Sequence, residues 1–383
     1  MSPLPLAAGL LFATACAADI GQADSGGGPP VPGEGVEQPA DWSPAGNGPY
    51  RIGHLTTDAT YTDALGADRP ITVHVWFPTA DDDGEEVRYD SLFVQPEALG
   101  GASPAPPVHP GGYPTIVHSH GSWGVAGGAG YWGQRLVSQG WVLIAPEHSG
   151  DTFTDGFPAF SGTTPTRHYI HRPQDMTAAL DHVSTADLLA GELKLDAVGL
   201  SGHSRGAYTA WCASGASMDP EVLAAACTGE DSFFPSRTCT AEEEEAFLSG
   251  VLDDPRFQAT FILDGGLRSI FGERGHRTVH APFFVLRRPS GNGSDQAEFD
   301  RMDGVTYTWV SVEGACHETF NVGVEASTQA PCETFEQQRG WDMTATFAAA
   351  FFRNALLGDA GAEVSGIVDG SIEVDPSATL RAR

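Results

Sequence analysis

The stretch Ala197-Val-Gly-Leu-Ser-Gly-His-Ser204-Arg-Gly-Ala-Tyr-Thr-Ala-Trp-Cys-Ala213 constrains the fold more than any other part of this chain. An apolar run of strand type passes through Gly202-His203-Ser204-Arg205-Gly206 and continues at once as a helical run. A turn that sharp needs glycine on both flanks, because a side chain there would strike the neighbouring strand or helix. Its apex lifts the Ser204 hydroxyl above the C-terminal edge of a sheet. The Gly-x-Ser-x-Gly spacing alone is a weak signal; the strand before it and the helix after it give it weight.

Three more apolar runs, at 115–119, 141–145 and 260–263, each end in a loop of polar or glycine-rich character. Such runs read as parallel strands buried on both faces. Helical stretches at 176–189 and 207–216 lie between them, and strands alternating with helices predict an α/β fold built on a doubly wound, mostly parallel sheet with helices on both faces. Two further strands are predicted at 282–286 and 307–312, and a closing helix at 345–357 ended by Gly358. Upstream, Ile71, Val73, Val75 and Phe77 alternate with Thr72, His74 and Trp76, the period of a half-buried strand. The chain therefore divides into a signal segment (1–16), a flexible Gly/Pro/Ser-rich linker (17–49), one large α/β domain (50–358) interrupted by an insertion after the Ser204 helix (218–256), and a C-terminal tail (359–383).

The formal charge of −30 arises from 50 acidic against 20 basic residues, and Lys194 is the only lysine. A nucleic-acid partner needs a basic footprint that this chain lacks. The acidic runs at 81–83 and 242–245 read as solvated surface. The N-terminus is a short apolar run too brief to span a bilayer, followed by Ala13-Thr-Ala15 before Cys16. That order resembles a bacterial lipobox and predicts lipidation at Cys16, with the protein anchored to the cell envelope; cleavage to a free secreted form is the alternative. Membrane contact is expected through that anchor alone. In an exported chain the other five cysteines predict two local disulfides, Cys227 with Cys239 and Cys316 with Cys332, and a buried Cys212 thiol. No cysteine spacing suits a metal.

Serine at neutral pH needs a base, and the base needs an acid to fix its tautomer. Behind an elbow of this kind they follow in the order Ser, Asp or Glu, His. Of the histidines after Ser204, His276 and His280 precede a strand, whereas His317 follows the strand at 307–312, where a loop reaches back over the elbow. His317 is the candidate base. Asp264, held at a strand end, is the preferred acid, and Asp295, after a Gly/Ser-rich loop, is the alternative. Two backbone N–H groups would hold the developing oxyanion, one from Arg205 and one from Ser122 in the loop His118-Ser-His-Gly-Ser-Trp-Gly124. The His120 side chain is expected to brace that loop, and the His203 side chain to pack against the sheet.

Tyr113 to Gly121, Gly140 to His148, Arg172-Pro-Gln-Asp175, Gly202 to Gly206, Phe261-Ile-Leu-Asp264 and Ala315-Cys-His317 together resemble the platelet-activating factor acetylhydrolase and dienelactone-hydrolase-like group of α/β-hydrolases, over residues 50–357. The resemblance implies hydrolysis of short-acyl esters or lipids by an acyl-enzyme route, without metal or organic cofactor, and places the acid on the strand after the nucleophile's, at Asp264. Cutinase-like polyester hydrolases are close relatives of that group, and an open cleft around Trp123, Trp132 and Ser204 would favour that chemistry. A non-catalytic, surface-anchored binding lipoprotein on the same fold is the alternative from another class. Two features depart from the group: the 218–256 insertion, and Arg205 in a position usually held by a small or apolar residue. The Arg205 cation is expected either to pair with an acid or to read a substrate anion.

Overall fold

The apolar runs come together in a single eleven-stranded sheet. In this computed structural model residues 39–383 are described, apart from 90–92, 156–164, 188, 190, 232, 237, 292–293, 322–331 and 333. The strands are β1 (Arg51–Thr62), β2 (Asp68–Thr79), β3 (Glu85–Tyr89), β4 (Phe93–Gly100), β5 (Tyr113–Ser119), β6 (Val142–Pro146), β7 (Leu193–His203), β8 (Phe257–Leu263), β9 (Phe283–Arg287), β10 (Tyr307–Val312) and β11 (Ala378–Ala382). Their spatial order is β11-β10-β9-β8-β7-β5-β6-β2-β1-β4-β3. From β6 through β5 to β10 the neighbours are parallel, and β2 and β11 pair antiparallel at the two ends of that block.

Helices α1 (Gly130–Ser138) and α7 (Gln337–Leu357) cover one face; α2 (Arg167–Thr185) and α3 (Arg205–Ala213) cover the other. Both faces of the central strands are therefore dry, and every residue of β5 is buried. On the first face Phe261 and Phe284 meet Phe347, Phe351 and Phe352; on the second Trp211 stacks on Phe283 at 3.8 Å between ring centres. Each such side chain contributes roughly 1.5–3 kcal/mol relative to leaving it in water.

Strand β2 is not half-buried: Trp76 is enclosed, because β3 and β4 wrap its outer face and its indole N–H donates to Tyr89 Oη (2.8 Å) and Gln95 Oε1 (3.1 Å). Residues 39–49, read as the end of a linker, pack on the domain. Gln139 donates to the carbonyls of Ser43 (2.9 Å) and Gly46 (2.8 Å), and Arg353 donates to that of Ala40 (3.1 Å). Residues 359–383 do not trail away as a tail: they form helix α8 (Ala362–Asp369) and β11, which adds an edge strand to β10. The 218–256 segment carries α4 (Pro220–Thr228), capped by Asp219, and α5 (Ala241–Leu248), capped by Thr240. It buries Leu223, Phe234 and Phe247 against the α2/α3 face, with Phe234 5.1 Å from the Tyr169 ring, so it belongs to the core. Disulfides join Cys227 to Cys239 and Cys316 to Cys332, and Cys212 is a buried thiol. Cys16 lies outside the described residues. Among the described residues no helix is long and apolar enough to cross a membrane.

Candidate active site

Strand β7 ends at His203 and α3 begins at Arg205, so Ser204 alone makes the turn, with φ 57° and ψ −112°. A side chain in that region is strained by about 1–3 kcal/mol and persists only where its surroundings fix it. They do: Ser204 N–H donates to Leu263 O (3.0 Å), and Ser204 O accepts from Ala207 N (3.1 Å). The flanking glycines are sterically required. A Cβ on Gly202 would sit 2.1 Å from Gly206 O, and one on Gly206 2.0 Å from Ser119 O.

The next strand, β8, hands the chain to Asp264, itself at φ 41° and nearly buried. Its Oδ2 accepts from His317 Nδ1, while Arg288 donates its backbone N–H to Oδ1 (3.1 Å) and its Nε lies 3.2 Å from Oδ2. Burial pushes the Asp264 carboxyl up, but the His317 hydrogen bond and the His317 and Arg288 charges outweigh it, and the group is held below its ordinary value. With Nδ1 committed to Asp264, Nε2 is the His317 nitrogen open to proton exchange. His317 also lies against the elbow: its carbonyl accepts from His203 Nε2 (2.9 Å), and the two rings are 4.6 Å apart. That bond fixes the His203 tautomer, and burial followed by the neighbouring His317 pulls its pKa to about 3, so His203 is a neutral prop. The Cys316–Cys332 bond clamps the loop one residue before His317.

The alternatives stand elsewhere. Asp295 lies on α6 (Ser294–Arg301), accepts from Ser290 N (2.7 Å) and faces Arg287, so the acid brought to His317 is Asp264. His276 and His280 precede β9, paired with Asp303 (3.0 Å) and Asp253 (3.5 Å).

Ser122 follows β5 in a loop pressed onto the elbow: a Cβ on Gly121 would come 3.2 Å from Ser204 Cβ. His120 braces it as expected, with Nε2 accepting from His148 N (3.0 Å) and Nδ1 2.7 Å from Gly121 O. Trp123 takes φ 57° and donates its N–H to Asp151 O (3.1 Å).

No family model and no curated relative matches the chain. Among solved structures it is similar to a ferulic acid esterase from Streptomyces cinnamoneus, with a TM-score of 0.56 and 17% identity over 86% of this chain and 96% of that one. The fold is that of an α/β-hydrolase.

Within that α/β-hydrolase frame, Arg205 resolves to an ion pair: its Nη1 lies 3.0 Å from Asp151 Oδ2, and its guanidinium sits 5.2 Å over the Tyr169 ring. Trp132 cannot line a cleft, being enclosed between Phe261 (6.3 Å) and His118 (5.6 Å), and Trp123 packs on Phe153 at 4.8 Å. Beneath the loop lies a charged cluster that sequence reading missed. Ser119 Oγ is 2.8 Å from His148 Nε2, and His148 Nδ1 is 2.9 Å from Asp175 Oδ2. The order is that of a hydrolytic triad, yet all three are sealed from solvent, and Asp175 is held by both ends of the Arg69 guanidinium fork at 2.7 and 2.8 Å. It is a brace and not a second site. Its Arg172 and Asp175 belong to the segment Arg172-Pro-Gln-Asp175, which in sequence carries no signal of burial. Among the described residues no cluster of His, Cys, Asp and Glu has the arrangement of a metal site.

Proposed function

We propose that this protein is a serine carboxylic-ester hydrolase acting through an acyl-enzyme on short-acyl esters or lipids, exported and either lipid-anchored at Cys16 or secreted. The observation that carries the reading is the hydrogen bond from His317 Nδ1 to the buried Asp264, on a ring packed beside an elbow strained at Ser204. The likeness to a ferulic acid esterase agrees with ester chemistry. The two disulfides agree with an oxidising compartment.

Ser204 Oγ bonds to the ester carbonyl carbon as its proton passes to His317 Nε2, and the carbonyl π pair moves onto oxygen. The N–H groups of Ser122 and Arg205 hold that oxyanion, and Asp264 stabilises the imidazolium. Collapse expels the alcohol, which takes the proton from His317. Water then repeats the sequence on the acyl-enzyme and releases the acid.

A para-nitrophenyl ester series from acetyl to palmitoyl tests this, assayed with wild type and Ser204→Ala. Turnover highest on short acyl chains and reduced to background in Ser204→Ala is the expected result. Wild-type protein inert on the whole series, or activity that survives Ser204→Ala, contradicts it.

A further inference from the structure

Both residues whose N–H groups would hold the oxyanion have side chains that end on one carboxylate. Asp151, in the loop after β6, is 1% exposed. Its Oδ1 accepts from Ser122 Oγ (3.3 Å) and its Oδ2 accepts from Arg205 Nη1 (3.0 Å) and Arg172 Nη1 (2.8 Å). Its backbone carbonyl accepts from Trp123 N (3.1 Å), the residue after Ser122, whose positive φ needs such support. A parallel bridge between Gly124 and Thr152 and the bond from Phe153 N to Gly124 O (3.2 Å) lay the two loops side by side.

Arg172 extends the connection. Equally buried, it donates to His120 O on the oxyanion loop, to Ser119 Oγ (3.2 Å) at the end of β5, and through Nε to Thr209 Oγ1 (3.1 Å) on α3, the helix that starts at the elbow. Burial pushes the Asp151 carboxyl up while the Arg172 and Arg205 cations pull it further down, so it is ionised; burial draws Arg172 to about 10, still charged at neutral pH. Burying this much charge is costly unless each group is paired, and removing one partner strands the others. A surface ion pair would contribute too little to fix a loop; a buried, multiply bonded one holds its partners in one geometry.

We infer that Asp151 is a positioning residue for ester hydrolysis: by holding Ser122 and Arg205 from one carboxylate it sets the spacing and direction of the two oxyanion N–H groups. The inference rests on the proposed esterase reading, since it concerns the same site. Asp151 touches neither substrate nor the reacting atoms. Its effect belongs to the transition state, where the oxyanion exists, and leaves substrate binding largely alone.

The test measures kcat, KM and inhibition by an aryl trifluoromethyl ketone, whose adduct with Ser204 places an oxyanion between the two amides, in wild type, Asp151→Asn, Ser122→Ala, Arg205→Gln and the double variant Ser122→Ala/Arg205→Gln. Asp151→Asn should lower kcat by about 100-fold, comparable to losing an oxyanion donor, with KM nearly unchanged. Ketone affinity should fall in proportion to kcat/KM. Ser122→Ala and Arg205→Gln, which keep their backbone N–H groups, should each lower kcat and be non-additive when combined, because both act through one carboxylate. Arg205→Lys should restore part of the loss. If Asp151→Asn fails to fold, the Ser122 and Arg205 cycle decides alone. Folded variants with wild-type kcat and ketone affinity, or losses that add independently, overturn the inference while the wild-type enzyme remains a Ser204-dependent esterase. A wild type without such activity would instead remove the proposed function.

Discussion

Replacing Asp264 by Asn should lower kcat/KM for a para-nitrophenyl ester by about 10⁴-fold, while Asp295→Asn should stay at the wild-type level. The asymmetry follows from who bonds to His317. Asp264 accepts from Nδ1 and so leaves Nε2 as the basic nitrogen; an amide can donate to Nδ1 instead, which moves the ring proton to Nε2 and removes the base. Asparagine suits position 264 structurally, since it tolerates the φ of 41° and can still accept from the backbone N–H of Arg288. Loss of activity should therefore come without loss of fold, read as unchanged circular dichroism and melting temperature. Asp295 is bound to Ser290 and Arg287 on another segment and has no route to the imidazole through its own bonds. A collapse in Asp295→Asn with Asp264→Asn intact would move the acid.

Ser204→Ala and His317→Ala should each lower kcat by about 10⁶-fold, and the double variant by no more than either alone. The hydroxyl is activated only by the imidazole, and the imidazole has no substrate to act on without the hydroxyl, so the second removal finds nothing left to lose. What survives is the rate that binding and the oxyanion N–H groups supply. Steady-state kinetics on the three proteins decides it. Additive losses would mean that His317 serves some step other than proton transfer with Ser204.

How much of this was legible beforehand depended on the range of the interactions. The elbow could be read because its constraint is local: Gly202 and Gly206 are needed by atoms within the same strand–turn–helix and the adjoining β5. The disulfides were legible for a similar reason, their cysteines standing 12 and 16 residues apart. Asp264 and His317 were found from order and strand ends, because strand ends at one edge of a parallel sheet converge. The start of α2 was not, since Pro173 reads as a breaker while the helix runs from Arg167 to Thr185 and carries it within. The Asp151 cluster was invisible for a deeper reason. Its bonds join four separate segments, those of Asp151, Ser122, Arg172 and Arg205, and a buried charge looks in sequence like an exposed one until its partners are known. Strand β11 was missed because its five residues, Ala-Thr-Leu-Arg-Ala, show too little alternation to mark a strand before β10 offers its edge.

The most direct measurement on the central claim is the position of a fluorophosphonate adduct, found by peptide mass mapping of the full-length protein. One adduct on the peptide carrying Ser204, formed slowly in His317→Ala and not at all in Ser204→Ala, is the predicted result. An adduct on another residue, or wild-type protein that hydrolyses esters yet takes up no label, would contradict it.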